Sequence, residues 1–233
     1  MAELRVAVVI PAFQAERTIR AVVARTRAAA PTAQVIIVDD GSTDDTARAA
    51  DDFVIGHDAN LGKGAALRDG IDEAMRHGAT AIVTLDADGQ HPPEQIPSLL
   101  APIASGQADI VLGSRERGPT MPVGRRVTNW LSARLASRIG GQPVTDAQTG
   151  FRAFTREVAA QIRPSGDRYE FETAFLLDAV RAGFRLSSVT IPTIYGPPSH
   201  FRTWRDTRRL ARVFARHAGR IVAGPPAPAA PRV

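Results

Sequence analysis

Asp86 and Asp88 are the residues of this sequence whose type and spacing most clearly suggest chemistry, because they lie one residue apart directly behind an apolar run at residues 79–85. Such a run predicts a buried strand, and open α/β sheets bind ligands outside the carboxyl ends of their strands. Two carboxylates at that position suit a Mg²⁺ or Mn²⁺ ion that is shared with substrate phosphates. Taken alone the pair is weak evidence, since acidic pairs are common in solvated loops.

Asp39 and Asp40, followed by Gly41 and Ser42, form a second acidic strand end. A buried carboxylate at such a point can accept hydrogen bonds from a ribose hydroxyl or a base N–H. The alternative is that Asp40 or Ser42 caps the following helix, and for one of the two we favour this alternative.

Residues 60–64, Asn-Leu-Gly-Lys-Gly, combine small residues with a cation, Lys63, at a predicted helix start. The glycines would let the backbone approach a ligand closely, and the helix N-terminus with its lysine would suit a diphosphate. The spacing of a P-loop is absent. The alternative is an ordinary helix start with a surface lysine.

Short β-branched runs alternate with helical segments in the first half of the chain, as a parallel sheet of right-handed βαβ units requires. We predict strands at residues 6–10, 35–38, 53–55, 79–85, 110–112 and 185–191. We predict helices at residues 16–29, 43–50, 62–76, 125–139, 171–182 and 202–222, with a further helix opening at Pro92 and a turn or strand leading into a helix at 150–160. Parallel strands end at one edge of a sheet, so the polar strand ends should converge.

Composition restricts the class of protein. With 233 residues and 44% hydrophobic content, the chain can bury a real core as one large or two small domains. It contains no cysteine, which excludes disulfides, thiolate metal sites and cysteine nucleophiles. The N-terminus runs straight into a strand-like segment without a cleavage site, and no stretch approaches the ~20 apolar residues of a membrane span. We therefore expect a cytoplasmic protein that does not itself span a membrane.

The net charge of +5 is unevenly distributed. Residues 1–114 carry a net charge of −7, whereas residues 115–138 carry +5 and residues 202–220 carry +6. An acidic front half argues against a nucleic-acid partner, whose basic footprint normally covers one continuous face. Localised arginine clusters point instead to an anionic second substrate.

Six segments, in this order, resemble the family-2 glycosyltransferases of GT-A fold, in particular the branch of dolichol-phosphate mannose synthases and bacterial polyprenyl-phosphate glycosyltransferases. They are residues 9–13 (Val-Ile-Pro-Ala-Phe), 38–42 (Val-Asp-Asp-Gly-Ser), 60–64, 86–92 (Asp-Ala-Asp-Gly-Gln-His-Pro), 113–115 (Gly-Ser-Arg) and 146–152 (Asp-Ala-Gln-Thr-Gly-Phe-Arg). The resemblance covers roughly residues 4–205. It implies an α/β, Rossmann-like fold with a mostly parallel sheet flanked by helices, and we assign residues 1–201 to this domain.

The resemblance also implies a set of site residues. The nucleotide-sugar site would contain Pro11, Ala12, Phe13, Glu16, Asp39, Asp40, Lys63, Asp86, Ala87 and Arg202. The Mg²⁺ or Mn²⁺ ion would be held by Asp86, Asp88 and Gln90. Catalysis is assigned to Asp88, Gln90, Asp146 and Arg115, and acceptor binding to Arg115, Arg125, Arg126, Asn129, Gln148 and Thr149.

The sequence departs from the branch at two places. Members often have Tyr, Asn and an acid at positions 13 to 15, where this chain has Phe13, Gln14 and Ala15, and its acid follows at Glu16. An arginine followed four residues later by serine is expected near the acceptor, yet Arg125 leads to Asn129.

The reaction that the resemblance implies is metal-dependent, inverting transfer of a hexose from a UDP- or GDP-sugar to a polyprenyl phosphate. A phosphate acceptor, with its second pKa near ~6, is already a nucleophile and needs arginines more than a general base. A soluble or protein-bound hydroxyl acceptor would need a base, for which Asp146, Glu170 and Glu172 are candidates. Binding of a nucleotide sugar without turnover is the alternative from another class of function.

The segment 202–223 is predicted to be an amphipathic helix with one basic face, formed by Arg205, Arg209, Arg212, Arg216 and Arg220. It could lie on an anionic membrane, or it could pack its apolar face on the domain and expose the arginines to water. Many relatives carry membrane spans after this point, so we expect peripheral contact with the cytoplasmic face of the membrane, a membrane partner protein, or a soluble acceptor. Residues 224–233, rich in Pro and Ala, are predicted to be disordered.

Overall fold

The computed structural model describes residues 4–115, 132–139, 141–164, 166–168, 170–192 and 212–215. The strands are β1 (Val6–Ala12), β2 (Gln34–Asp39), β3 (Val54–Gly56), β4 (Ala81–Thr84), β5 (Ile110–Arg115), β6 (Arg152–Thr155) and β7 (Leu186–Ile191). The helices are α1 (Ile19–Ala29), α2 (Thr46–Ala50), α3 (Lys63–Arg76), α4 (Ile96–Ala104), α5 (residues 132–139), α6 (Arg156–Gln161) and α7 (Glu170–Arg181), and a 3₁₀ turn, Pro93–Gln95, precedes α4. Residues 212–215 are also helical.

The strands form one seven-stranded sheet in the order β3-β2-β1-β4-β6-β5-β7. β1, β2, β3 and β4 are parallel to one another, β5 and β7 are parallel to each other, and β6 runs antiparallel to both β4 and β5. The predicted mostly parallel α/β sheet is therefore confirmed. Its parallel strands place the ends of β1, β2 and β4 at one edge.

Both faces of the sheet are buried, which explains why the central strands are apolar throughout. Successive residues of β1 point to opposite faces, so Val9 packs with the layer of α3 and α7, whereas Val8 packs with the layer of α1 and α4. Each layer has its own cluster of fully buried side chains, exemplified by Phe154 in the first and Leu99 in the second. The sheet thus forms a rigid base for the loops at its edge.

Two helices begin later than their sequence predicts. α1 begins at Ile19 rather than residue 16, because residues 16–18 form a turn in which the backbone N–H groups of Thr18 and Ile19 donate to the Ala15 carbonyl oxygen at 3.0 and 2.9 Å. α2 begins at Thr46 rather than residue 43, and its N-cap is Asp45. The prediction that Asp40 or Ser42 caps this helix is therefore wrong.

Several predictions fall partly or wholly outside the described residues. Of the predicted helices at 125–139 and 202–222, residues 132–139 and 212–215 are described, and both are helical. The tail at 224–233 lies outside the described part. Among the residues that the structure describes, no helix combines the length and apolar character that crossing a bilayer requires.

Candidate active site

The loops that follow β1, β2 and β4 are fastened together at the edge of the sheet. The Gln14 backbone N–H donates to Ser42 Oγ at 3.0 Å, which joins the first loop to the second. The Thr18 hydroxyl donates to the carbonyl oxygen of Ala87 at 2.7 Å, which joins the first loop to the segment of Asp86 and Asp88. Three of the predicted motifs therefore form one continuous surface.

The ends of β1 and β2 form the part of this surface that was predicted to bind the nucleoside. Pro11 and Ala12 are buried in β1, and the register pairs Ala12 with Asp39. Phe13 follows with 38% of its surface exposed, which gives a base an aromatic face to pack on. Asp39 is buried, and its Oδ1 accepts a hydrogen bond from the Ser42 N–H at 3.1 Å. Glu16 is exposed and accepts a hydrogen bond from the Asp45 N–H.

Asp40 differs from Asp39 because its carboxylate is engaged within the protein. Its two oxygens accept the backbone N–H groups of Leu61 and Gly62, each at 2.8 Å. Asp40 therefore supports the loop that leads into α3. This environment favours a structural role for Asp40 over direct contact with a nucleotide sugar.

Lys63, the first residue of α3, joins the third motif to the fourth. Its Nζ lies 2.6 Å from Asp86 Oδ1 and 2.9 Å from Glu172 Oε1 on α7. Burial alone would lower the pKa of Lys63, but the charges of Asp86 and Glu172 raise it overall, so the side chain is a cation. Instead of a surface lysine, the structure shows a cation with only 18% of its side chain exposed, which contacts one oxygen of Asp86.

Asp88 lies beside this ion pair and remains accessible to solvent. Partial desolvation of the carboxylate and then the negative charge of Asp86 raise its pKa. The Gln90 backbone N–H donates to Asp88 Oδ1 at 2.9 Å, so Gln90 orients Asp88 through its main chain. A cation bound beside Asp88 would stabilise the ionised form that Asp86 disfavours.

We call six charged residues the active-site cluster: Lys63, Asp86, Asp88, Asp146, Arg152 and Glu172. Two cations face four carboxylates, which leaves a formal charge of −2. Among the described residues, no three His, Cys, Asp or Glu side chains are arranged to hold a metal ion by themselves. Mg²⁺ does not require such a cage, since it usually binds one or two carboxylates together with substrate phosphates and water. Asp86 and Asp88 therefore fit a divalent cation that arrives with a nucleotide diphosphate.

The loop before β6 packs directly against Asp86, since a Cβ atom added at Gly150 would lie 2.5 Å from Asp86 Oδ1. Asp146 is buried, and its Oδ1 accepts a hydrogen bond from the Gln148 N–H at 3.1 Å. The Gln148 side-chain amide reaches Ser132 Oγ on α5 at 3.4 Å. Thr149 is fully buried and donates to the carbonyl oxygen of Gly113 at 2.9 Å, which favours a structural role over contact with an acceptor.

The remaining predicted site residues lie wholly or partly outside the described part of the chain. Arg115 ends β5, but its side chain is not described. The other four are Arg125, Arg126, Asn129 and Arg202.

Arg152 is a central residue for which the sequence predicted no role. It is 2% exposed, and its guanidinium donates to the carbonyl oxygens of Glu172 at 2.8 Å and Thr149 at 3.1 Å. Burial lowers the pKa of Arg152 overall, although the negative charges of Glu172, Asp146 and Asp86 raise it in part. The sequence did contain a signal for this residue, a single arginine between apolar residues of a short strand. A charge at such a position is buried and must find partners inside the protein.

We predict that Gly150→Ala lowers activity about 10- to 100-fold while the protein stays folded, since a displacement near 1 Å at a reacting centre can cost that much. A Cβ atom at residue 150 would lie 2.5 Å from Asp86 Oδ1, so Asp86 must shift. Steady-state turnover and circular dichroism measure the two effects. Gly56→Ala is the matched control, because its Cβ would meet nothing within 4 Å. Equal loss in both variants would contradict the placement of Asp86.

Comparison with known proteins agrees with this architecture. The family described as Glycosyl transferase family 2 matches residues 7–163. The chain is 32% identical to the UDP-N-acetylglucosamine–dolichyl-phosphate N-acetylglucosaminyltransferase of Methanococcus voltae, covering 84% of this chain and 88% of the relative. It is 33% identical to the polyprenol monophosphomannose synthase of Mycolicibacterium smegmatis, covering 80% of this chain and 76% of the relative.

A solved structure with the same fold is glucosyl-3-phosphoglycerate synthase from Mycobacterium tuberculosis in complex with Mn²⁺, uridine diphosphate and phosphoglyceric acid. The TM-score is 0.77 at 21% sequence identity, and the match covers 93% of this chain and 79% of the other. The same synthase has also been solved with Mg²⁺ and uridine diphosphate.

Proposed function

The chain belongs to glycosyl transferase family 2 and has the GT-A fold, and from this premise we propose that it moves a hexose from a UDP- or GDP-sugar to a polyprenyl phosphate, with inversion and with a divalent cation. The observation that carries the donor half of this proposal is Asp86, which is held by Lys63 beside Asp88 at the edge of the sheet. The acceptor half is supported by the relatives whose names include a polyprenol or dolichyl phosphate.

Donor binding would divide between two parts of the surface. The nucleoside would occupy the ends of β1 and β2, with its base against Phe13 and its ribose or base N–H groups at Asp39. The diphosphate would then extend toward Asp86 and Asp88 across the Thr18–Ala87 contact. The donor would lie in this direction because the loops proposed to bind the nucleoside are adjacent to the loop of Asp86 and Asp88.

Transfer builds negative charge on the leaving diphosphate and positive charge at the anomeric carbon. A divalent cation bound at Asp86 and Asp88 would supply neutralisation of the diphosphate charge. Lys63 keeps Asp86 in place, and the main chain of Gln90 does the same for Asp88. Neither contact needs to reorganise during the reaction, which is the condition for efficient electrostatic stabilisation.

A phosphate acceptor would approach from the side of α5. The contact between Gln148 and Ser132 anchors the described part of this helix beside the loop of Asp146. Arg125, Arg126 and Asn129 precede α5 in the chain, and we propose that they bind the acceptor phosphate together with Arg115 and Arg202. Because the acceptor is itself a nucleophile, these arginines need only orient it. We further propose that the protein meets its lipid acceptor as a peripheral protein at the cytoplasmic face of the membrane or through a membrane partner.

A screen of UDP- and GDP-sugars with Mn²⁺ and a short polyprenyl phosphate tests this proposal, with released nucleotide as the readout. We expect one donor class to give nucleotide release that needs both the acceptor and the metal, and that stops when a chelator is added. The anomeric configuration of the product, measured by NMR, tests inversion. Tight nucleotide binding without sugar transfer or hydrolysis under all these conditions would contradict the proposed enzyme.

A further inference from the structure

His57 lies just after β3 and connects two elements of the candidate site. Its Nδ1 lies 2.8 Å from Asp40 Oδ1, and its Nε2 lies 3.0 Å from Asp69 Oδ2 on α3. Only 7% of the imidazole is exposed. The His57 backbone N–H also donates to the Asp39 carbonyl oxygen at 2.9 Å.

The two contacts of the ring constrain its protonation. A neutral imidazole has one donor nitrogen and one acceptor nitrogen, so one of the two carboxylates would face a lone pair. Both contacts are favourable only when the ring is an imidazolium that donates from both nitrogens. The geometry therefore favours a cation at His57.

The Asp40 carboxylate links His57 to the loop at residues 59–62. The oxygen that pairs with His57 also accepts the Leu61 N–H, and the other oxygen accepts the Gly62 N–H. The loop also packs closely against Gly41, where an added Cβ would lie 2.4 Å from the Ala59 carbonyl carbon. Gly62 is the N-cap of α3, and Lys63 follows it. The position of the Asp40 carboxylate thus sets where α3 begins.

We propose that the His57 imidazolium is a positioning residue for the donor site, acting as a clamp through Asp40 on the loop at 59–62 and so on Lys63. The donor-site role rests on the proposed function, whereas the clamp does not. The imidazole contacts Asp40 and Asp69, and the His57 backbone N–H donates to the Asp39 carbonyl oxygen. Of these contacts, the one with Asp40 links the ring to the loop at 59–62.

The clamp makes the donor site sensitive to pH. The charged groups that act on His57 are Asp40, from the loop after β2, and Asp69, from α3; Asp58, its neighbour in the chain, is exposed. Burial alone would lower the pKa of His57, but the hydrogen bonds to Asp40 and Asp69 raise it overall. With a raised pKa, the clamp is complete below the ordinary pKa of histidine and is lost as the pH rises through the folded-state pKa.

Amide hydrogen exchange tests the clamp directly, because the Leu61 and Gly62 amides are the groups that it holds. We expect their protection factors in the wild type to fall about tenfold between about pH 6 and about pH 9, the scale of one lost charge-assisted hydrogen bond. In His57→Gln, protection should be low at both pH values. The Asp40 amide, bonded to the Ala12 carbonyl oxygen at 2.8 Å, is the internal reference. Equal protection of Leu61 and Gly62 in both proteins at both pH values would overturn the clamp.

Asp69→Asn provides a second variant that keeps His57 and its contact with Asp40. We expect it to lower the titration midpoint of the His57 ring in NMR spectra and to move the loss of amide protection to lower pH by the same amount. A ring midpoint that falls while the loss of Leu61 and Gly62 amide protection stays at its wild-type pH would overturn the proposal, because the loop would then not follow the charge of His57.

Calorimetric titration with UDP and GDP in Mn²⁺ then tests the donor-site role. Binding to the wild type should weaken about tenfold over the same pH interval, and His57→Gln should bind weakly throughout. Equal affinity in the wild type and His57→Gln at both pH values would overturn the donor-site role while the amide result stands. Failure of every protein to bind either nucleotide at any pH would instead overturn the proposed function.

Discussion

Replacement of Asp88 by alanine is expected to lower turnover by about 10²- to 10³-fold or more, the scale on which removal of one preorganised electrostatic contact acts. The variant removes one of the two carboxylates that fit the cation. The proposed nucleoside contacts come from the ends of β1 and β2, so UDP or GDP binding should be retained in part. The measurements are nucleotide release in Mn²⁺ and calorimetric titration with the free nucleotide.

Glu157→Ala is the matched control for this prediction, because Glu157 is an exposed carboxylate in the first turn of α6, outside the active-site cluster. It should retain full turnover. Asp88→Asn keeps the shape of the side chain but loses its charge, and it should behave like Asp88→Ala. Normal turnover in either Asp88 variant would refute the assignment of this residue to the metal.

Lys63→Met is expected to lower the free energy of unfolding by about 3 kcal/mol, the lower end of the cost of removing one member of a buried ion pair, because Lys63 and Asp86 keep 18% and 22% of their side chains exposed while Glu172 is buried. Glu172, 5% exposed, would lose the cation at 2.9 Å, and Asp86 would lose its closest contact. Turnover should fall as well, since Asp86 would no longer be fixed. Urea denaturation measures the first effect, and steady-state kinetics measures the second.

Arg48→Met is a control for loss of an ion pair at the surface. Arg48 pairs with Asp45 where both side chains are largely exposed, so the change should cost less than about 1 kcal/mol. Adding Glu172→Gln to Lys63→Met should restore part of the stability, because it removes the unpaired carboxylate, but it should not restore turnover. An unchanged denaturation midpoint in Lys63→Met would contradict the buried ion pair.

Local sequence was sufficient to predict the convergence of the strand-end motifs. The apolar runs of β1, β2 and β4 identify buried strands, and parallel strands must end at a common edge. This is why Asp39 and Asp86, far apart in sequence, could be assigned to one surface. The family resemblance added the roles but was not needed for the placement.

Local sequence was insufficient wherever a side chain takes its partner from a distant segment. The sequence predicted Lys63 to be a cation for a diphosphate. Its contact with Glu172, more than a hundred residues away in the chain, could not be predicted from local sequence. Asp39 and Asp40 look equivalent in sequence, yet the loop at 59–62 uses both oxygens of Asp40. Ala15 and Thr46 likewise bond across 31 residues of sequence, a contact that local sequence does not reveal.

Transfer of a sugar to a lipid phosphate is tested most directly by comparing two acceptors. A labelled donor sugar is offered, with Mn²⁺, to a polyprenyl phosphate and to the polyprenol of the same chain length. The label in the lipid phase is then measured. The proposed function predicts labelled lipid from the phosphate alone, none from the polyprenol, and none from the phosphate when Asp88→Ala replaces the wild type. Equal labelling of the polyprenol, or labelling of a soluble hydroxyl compound in place of the lipid phosphate, would contradict it.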